Sequence, residues 1–372
     1  MKGAVYYGPR DIRLEDLPTP EPGPGELLIE VARNGLCGSD LHTYLGASTG
    51  GAAMHVPGVV LGHEFSGIVR EVGAGVTDMA VGAAVAIAPI EWCGTCYACS
   101  HSWPQMCRKL GLYGGYRLPL HGGLAEFAVV LRRSAFTVPA GLGVVEAALA
   151  EPMAVAVHAV RRAPTTLGAT VLVLGAGPIG LGVLQAVRAA GATTMIVSEP
   201  SVARRDAARR LGASAVVDPT TENLRQAVRD LVRDGVDLVF ETTANDSALS
   251  QGLQALRPRG TMVSVAGWGD LARVDMGLAM AKELDIRYSM TYEPAVDFPA
   301  TLAMLATGAF NANVLISDHI PLDSLIADGL EELLNNADQH VKILVDPSPN
   351  ARTGPAAPSA ITPSDGTTRR TA

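Results

Sequence analysis

The run Gly175-Ala176-Gly177-Pro178-Ile179-Gly180 narrows the possible folds more than any other feature of the chain. It follows directly on the apolar stretch VLVL and opens a helical segment that ends near Gly191. The next apolar stretch ends in Ser198-Glu199, with the acid nineteen residues beyond Gly180. A lone G-x-G-x-x-G is a weak signal, because glycine turns are common. Strand, turn, helix and distal acid in this order are the context in which the pattern holds a dinucleotide. Gly175 allows the tight turn, Gly177 lets the backbone approach a pyrophosphate, and Gly180 lets helix and strand pack closely. Unpaired N–H groups at the helix start then face the phosphates. A glycine turn with no ligand is the plainer alternative. Pro178, Ile179, Arg204 and Val265 complete the candidate cofactor contacts.

Glu199 is placed to accept hydrogen bonds from the ribose hydroxyls, and its charge would repel a 2′-phosphate. NAD is therefore expected over NADP. Arg204 and Arg205 either soften that preference or form a solvated helix face.

At 372 residues the chain is too long for one ordinary domain. The first 155 residues are rich in Gly, Pro and short β-type runs, with strands expected at 27–32, 65–72, 84–90 and 127–131. This predicts a mainly β, partly open barrel-like catalytic domain over 1–155. From about Leu167 strands and helices alternate. Strands are expected at 170–174, 194–199, 215–218, 236–242, 261–266 and 286–292, with helices at 204–211, 224–232 and 247–256. The fold class is α/β, with a doubly wound six-stranded parallel sheet (Rossmann) over 156–292. A helix at 298–307 and a strand at 341–345 are too little for a third domain, so 293–348 should return to the first one. The segment 349–372 is Pro, Ala, Ser, Thr and Gly with few large apolar residues, and is expected to be a disordered tail.

The net charge of −8 argues against a nucleic-acid partner. Residues 1–17 carry no apolar signal core, which points to a cytoplasmic protein. The uncharged stretch 171–187 is almost long enough to suggest a membrane span, but its glycines and Pro178 divide it into strand, turn and helix. Without an export signal, five cysteines are poor material for disulfides.

Four of them form Cys93-x-x-Cys96-x-x-Cys99, with Cys107 after seven more residues. Two-residue gaps let neighbouring thiolates converge on one tetrahedral ion, and four thiolates make a closed structural zinc site. An iron–sulfur cluster is the chemical alternative. The fifth, Cys37, sits in Gly35-Leu36-Cys37-Gly38-Ser39-Asp40-Leu41-His42, and Gly62-His63-Glu64 follows. These supply ligand types that zinc prefers, although a Cys and a His on glycine-rich loops are more often structural.

Together, the Cys37 loop, Gly62-His63-Glu64 with Gly67, the four-cysteine lobe and the Gly175–Gly180 turn resemble the zinc-containing medium-chain dehydrogenases, in order and over almost the whole chain. Leu149-Ala150-Glu151-Pro152, Val197-Ser198-Glu199-Pro200 and His340-Val341-Lys342-Ile343-Leu344-Val345 are most similar to the 2,3-butanediol and sorbitol dehydrogenase branch. The resemblance implies a second, catalytic zinc bound by Cys37, His63 and an acid. Glu64 ligates directly or orients His63, and Glu151 completes the set directly or through water. It implies NAD-linked oxidation of a secondary alcohol or vicinal diol to the ketone, with a polyol, an amino alcohol or a specialised metabolite as the alternative substrate. It also implies a proton relay through Ser39 and His42, and a homodimer or homotetramer. A non-catalytic NAD-binding protein or a zinc-free reductase would have no use for Cys37, Ser39, His63 and Glu64. Tyr44, Ile90 and Trp92 are candidates for the substrate pocket or for core packing. The chain departs from the butanediol-type pattern between Leu45 and Pro57.

Overall fold

The computed structural model describes residues 1–46, 56–115 and 120–349. The apolar run before the glycine turn forms the strand Thr170–Leu174, in which Val171, Leu172, Val173 and Leu174 are all buried. A strand covered on both faces is the centre of a parallel sheet. Six parallel strands lie in the spatial order Ala215–Val217, Thr194–Ser198, Thr170–Leu174, Val236–Glu241, Leu256–Ser264 and Asp285–Tyr288. The order reverses between Thr170–Leu174 and Val236–Glu241, which opens a crevice at their carboxyl ends.

The helices Val202–Arg210, Leu224–Leu231 and Asp246–Ala255 start where Ser201, Asn223 and Asn245 accept backbone N–H groups of the first turn. Helix Pro178–Ala189 begins at the glycine turn with Pro178 in its first turn. A Cβ on Gly180 would collide with the Gly175 carbonyl, so this close start needs glycine. Among the described residues no helix is long and apolar enough to cross a membrane.

The second body is a seven-stranded sheet. Its strand Glu26–Gly35 pairs antiparallel with Glu64–Val72, with Phe127–Leu131 and with Lys342–Asp346. The chain thus returns near its end to the sheet built by its first part. Ile316–Pro321 lies parallel to Lys342–Asp346 on the outer side.

Several boundaries differ from expectation for local reasons. The strand expected at 84–90 stops at Ile87, and Ile90–Glu91 pairs instead with Gly111–Leu112. Pro89 lies between them and has no N–H to donate to a ladder. The last parallel strand ends at Tyr288, and Thr291 then turns with φ +43°. Helix Pro294–Ala306 begins earlier than the expected 298, because Pro294 in its first turn needs no N–H partner. Residues 47–55, which carry most of the departure between Leu45 and Pro57, lie outside the described residues. So do residues 350–372, nearly all of the expected tail.

Candidate active site

Strand register gathers the first cluster. Cys37 lies two residues past the end of Glu26–Gly35, and the antiparallel neighbour starts at Glu64, directly across from Gly35. One donor atom each from Cys37, His63 and Glu64 lies within 4.8 Å of the other two. A Cβ on Gly35 would run into the Glu64 carboxylate, so glycine at this position makes room for it.

Cys37 is also the N-cap of helix Gly38–Leu45, and its N–H donates to Asp40 Oδ2 at 2.8 Å. The other Asp40 oxygen stands 3.6 Å from His63 Nδ1. Burial pulls the His63 pKa down, but Asp40, and after it Cys37, outweigh this and hold it well above its ordinary value. The ring is thereby oriented with Nε2 on the far side, 3.5 Å from the Ser39 hydroxyl. A carboxylate behind a histidine is the usual way a metal-binding imidazole is aimed. Asp40 stood in the sequence motif without a role. Its signal was an acid three residues after a helix-capping cysteine.

Glu64 has a strong partner that sequence reasoning missed. Lys342 Nζ donates to its two oxygens at 2.8 and 2.6 Å and to the Leu36 carbonyl at 2.7 Å. Both side chains are buried. Burial lowers the Lys342 pKa, and the adjoining Glu64 charge more than reverses the shift. Lys342→Met would strand a buried carboxylate, so the metal-free protein should lose about 3–5 kcal/mol in a urea titration. An unchanged midpoint would show that the pair contributes nothing. Glu151 sits at the start of helix Ala150–Arg162, outside the 4.8 Å group but buried within electrostatic reach of it. Burial raises its pKa to about 7, with His63 opposing and Glu64 reinforcing the shift.

The second cluster is Cys93, Cys96, Cys99 and Cys107. Sulfur separations are 3.5 Å for Cys96–Cys99, 3.8 Å for Cys96–Cys107 and 3.5 Å for Cys107–Cys93. These are far too long for disulfides. Four sulfurs about 2.3 Å from one zinc ion would lie about 3.8 Å apart at tetrahedral angles, so the residues fit that ion. Backbone N–H groups of Cys93 and Lys109 point at Cys107 Sγ at 3.4 and 3.3 Å. The Thr95 N–H and hydroxyl bring the Cys93 pKa down to about 5. Burial, then Cys96, pushes Cys99 up to about 12. Four thiolates this close together would repel one another unless a cation lay between them.

The nucleotide crevice is two adjoining clefts. One, of about 550 Å³, is lined by Gly175, Gly177, Glu199 and Arg204 among others. The second, of about 640 Å³, is lined by Gly177, Pro178, Ile179, Gly180 and Val265, and equally by Cys37, Ser39, His42, Glu64 and Lys342. Gly177, Thr242 and Thr243 border both clefts. All eight expected cofactor residues therefore face one connected space, and the dinucleotide turn opens onto the first donor cluster. Ser39 and His42 share one face of helix Gly38–Leu45, three residues apart.

Glu199 is tied from two sides, accepting the Ala176 N–H at 2.7 Å and the Ser201 N–H at 2.8 Å. A carboxylate has lone pairs left after two such bonds. Arg204 borders the cleft, but its guanidinium donates to the carbonyls of His340 and Ala337. Arg205 pairs with Asp218 at 3.0 Å. Sequence reasoning also missed Glu241, a fully buried acid that accepts the N–H groups of Thr243 and Ala244 at 2.6 and 2.8 Å and so shapes the crevice wall. Tyr44, Ile90 and Trp92 are not among the residues of the second cleft. Tyr44 is buried and donates to Glu331 at 2.7 Å, Ile90 is core, and Trp92 lies under the Arg133 guanidinium.

Comparison with known proteins shows the family. The alcohol dehydrogenase GroES-like domain matches residues 23–140, and the zinc-binding dehydrogenase domain matches residues 178–307. The (R,R)-butanediol dehydrogenase of Neisseria gonorrhoeae is 35% identical over 361 residues, 94% of this chain and 100% of that one. The sorbitol dehydrogenase of Bacillus subtilis is 31% identical over 355 residues, 94% of this chain and 98% of that one. A zinc-binding dehydrogenase of Sinorhizobium meliloti, solved with NADP, superposes with a TM-score of 0.85 at 33% identity, covering 93% of this chain and 99% of that one. The chain belongs to the zinc-binding dehydrogenase family, in the neighbourhood of the butanediol and sorbitol dehydrogenases.

Proposed function

We propose that this chain oxidises a secondary alcohol or vicinal diol reversibly to the ketone with NAD, at a zinc held by Cys37 and His63 with Glu64 and Glu151 completing the set. A second zinc, held by the four-cysteine lobe, is structural. The observation that carries the reading is the shared cleft, in which the glycine turn and the Cys37 cluster face each other across one space. Zinc at Cys37 and His63 would supply Lewis acidity toward the alcohol oxygen. The chain's own residues do the rest. Pro178, Ile179 and Val265 form an apolar wall against which a nicotinamide can lie. Ser39 borders that wall and takes the alcohol proton, and the exposed His42 passes it outward.

NAD is favoured over NADP by two observations. Glu199 places a carboxylate in the adenosine cleft, and Arg204 and Arg205 are committed to protein partners rather than free to meet a 2′-phosphate. The catalytic domain comprises 1–155 and 293–348 around a nucleotide domain at 156–292. A homodimer or homotetramer is supported by the edge strand Asp285–Tyr288, where Tyr288 is exposed, with Met276 and Met280 exposed on the preceding helix.

A panel of vicinal diols, polyols and simple secondary alcohols, assayed with NAD and NADP in both directions, tests the proposal. Diol oxidation with NAD is expected to be fastest, a polyol optimum would move the substrate assignment, and no oxidation of any secondary alcohol would refute the reading. In the same assay Glu199→Ala should raise kcat/KM for NADP by about tenfold or more, because a like-charge contact is removed. No gain would count against the role given to Glu199.

A further inference from the structure

One buried group beside the Cys37 cluster has so far no task. Tyr292 is 0% exposed, yet its hydroxyl makes no hydrogen bond of ordinary geometry. A buried hydroxyl without a partner costs about 1–3 kcal/mol, so a tyrosine rather than a phenylalanine here calls for a reason. Burial first, then the neighbouring Glu151 and Glu64 carboxyls, hold the pKa of this hydroxyl well above its ordinary value. The ring packs against Phe298 with centroids 5.7 Å apart, which keeps the hydroxyl from turning to solvent.

The surrounding frame is rigid. Glu151 opens helix Ala150–Arg162, and Tyr292 directly precedes Glu293, the N-cap of helix Pro294–Ala306, which packs against it. Seven residues after Glu151, on the same helix face, His158 Nδ1 meets Asp297 Oδ2 at 2.8 Å. The fully buried Asp297 also accepts Arg161 at 2.5 Å and the Glu293 N–H at 2.7 Å. His158 and Arg161 thus clamp the two helices together, and the Glu293 bond fixes the turn from which Tyr292 projects. Glu151, two turns before His158 on its helix, and Tyr292, just before the N-cap of the other helix, then form a second polar pair beside the first.

We propose that Tyr292 is a positioning residue of the metal site, whose hydroxyl donates to Glu151 and sets how far that carboxylate reaches toward Cys37 and His63. The inference rests on the reading that Glu151 belongs to the metal centre. A tyrosine hydroxyl can donate to an ionised carboxylate, which can only accept, and phenylalanine would keep the packing while deleting the donor.

The test compares the wild type, Tyr292→Phe and Glu151→Gln with cobalt in place of zinc. The visible cobalt spectrum reports the geometry at the metal whether or not the enzyme turns over. Both variants should shift it, and Tyr292→Phe should lower kcat about ten- to a hundredfold, the usual cost of losing a group that orients a ligand. Its urea midpoint should stay close to that of the wild type, since phenylalanine keeps the packing of the ring. A purely structural Tyr292 would show the reverse, a lowered midpoint with an unmoved spectrum. If Glu151→Gln shifts the spectrum and Tyr292→Phe does not, the role of Tyr292 is overturned while Glu151 keeps its place. If Glu151→Gln leaves the spectrum unmoved, Glu151 leaves the metal centre and the inference falls with it.

Discussion

Replacing Cys37 with serine should lower kcat/KM for alcohol oxidation at least about a thousandfold, which corresponds to about 4 kcal/mol of lost transition-state stabilisation. The substitution is unusually clean. Cys37 is the N-cap of helix Gly38–Leu45, and serine is a better N-cap than cysteine, so the helix that carries Ser39 and His42 should remain. The Asp40 bond to the residue-37 N–H does not depend on the side chain. What disappears is the thiolate, one of the three donors within 4.8 Å of each other. Steady-state kinetics beside a urea titration checks this. Activity within tenfold of wild type, at unchanged stability, would mean that Cys37 faces the cleft without serving the reaction.

Replacing Cys93 with serine should act on stability instead. Losing the ion that holds a lobe together belongs to the small class of changes costing about 4 kcal/mol or more. The damage should stay local, because the base of the lobe is anchored independently. Glu91 is buried and accepts the Ser134 hydroxyl at 2.6 Å and the Tyr113 hydroxyl at 3.2 Å, and Arg133 both pairs with it and covers Trp92. Limited proteolysis should therefore cut the variant between Cys93 and Cys107 before the nucleotide domain opens. Cleavage and urea midpoints equal to wild type would remove the structural role of the lobe.

The contrast between the two cysteine groups tracks how each was readable. Cys93, Cys96, Cys99 and Cys107 lie close in sequence, so a short loop sufficed to bring them together, and spacing alone pointed to the cluster. Cys37 and His63 meet only because their strands pair with a particular register, which spacing does not encode. They were found through resemblance. The six parallel strands were visible because each is a short apolar run between turn residues, buried on both faces.

Helix Ala150–Arg162 was invisible for the opposite reason. Nearly every residue from Ala150 to Ala159 is buried, so no polar face marks a helical period. In the sequence Lys342 is visible only as part of a closing strand, because a lysine in a short β-run reads as an edge residue facing water. Its burial against Glu64 follows from the insertion of Lys342–Asp346 beside Glu26–Gly35, a contact between the two ends of the chain. Tyr292 was likewise read as the end of a strand. Its place beside Glu151 depends on helix Ala150–Arg162, which sequence periodicity does not mark, and on the early start of helix Pro294–Ala306.

Two zinc sites of different kinds are expected in this chain, one closed and one facing the nucleotide crevice. Metal analysis of the purified protein with its cysteine variants tests this most directly. About two zinc ions per chain are expected in the wild type and about one in Cys37→Ser, with the remaining ion depleted in Cys93→Ser,Cys37→Ser. One zinc ion per chain in the wild type, unchanged by Cys37→Ser, would contradict it.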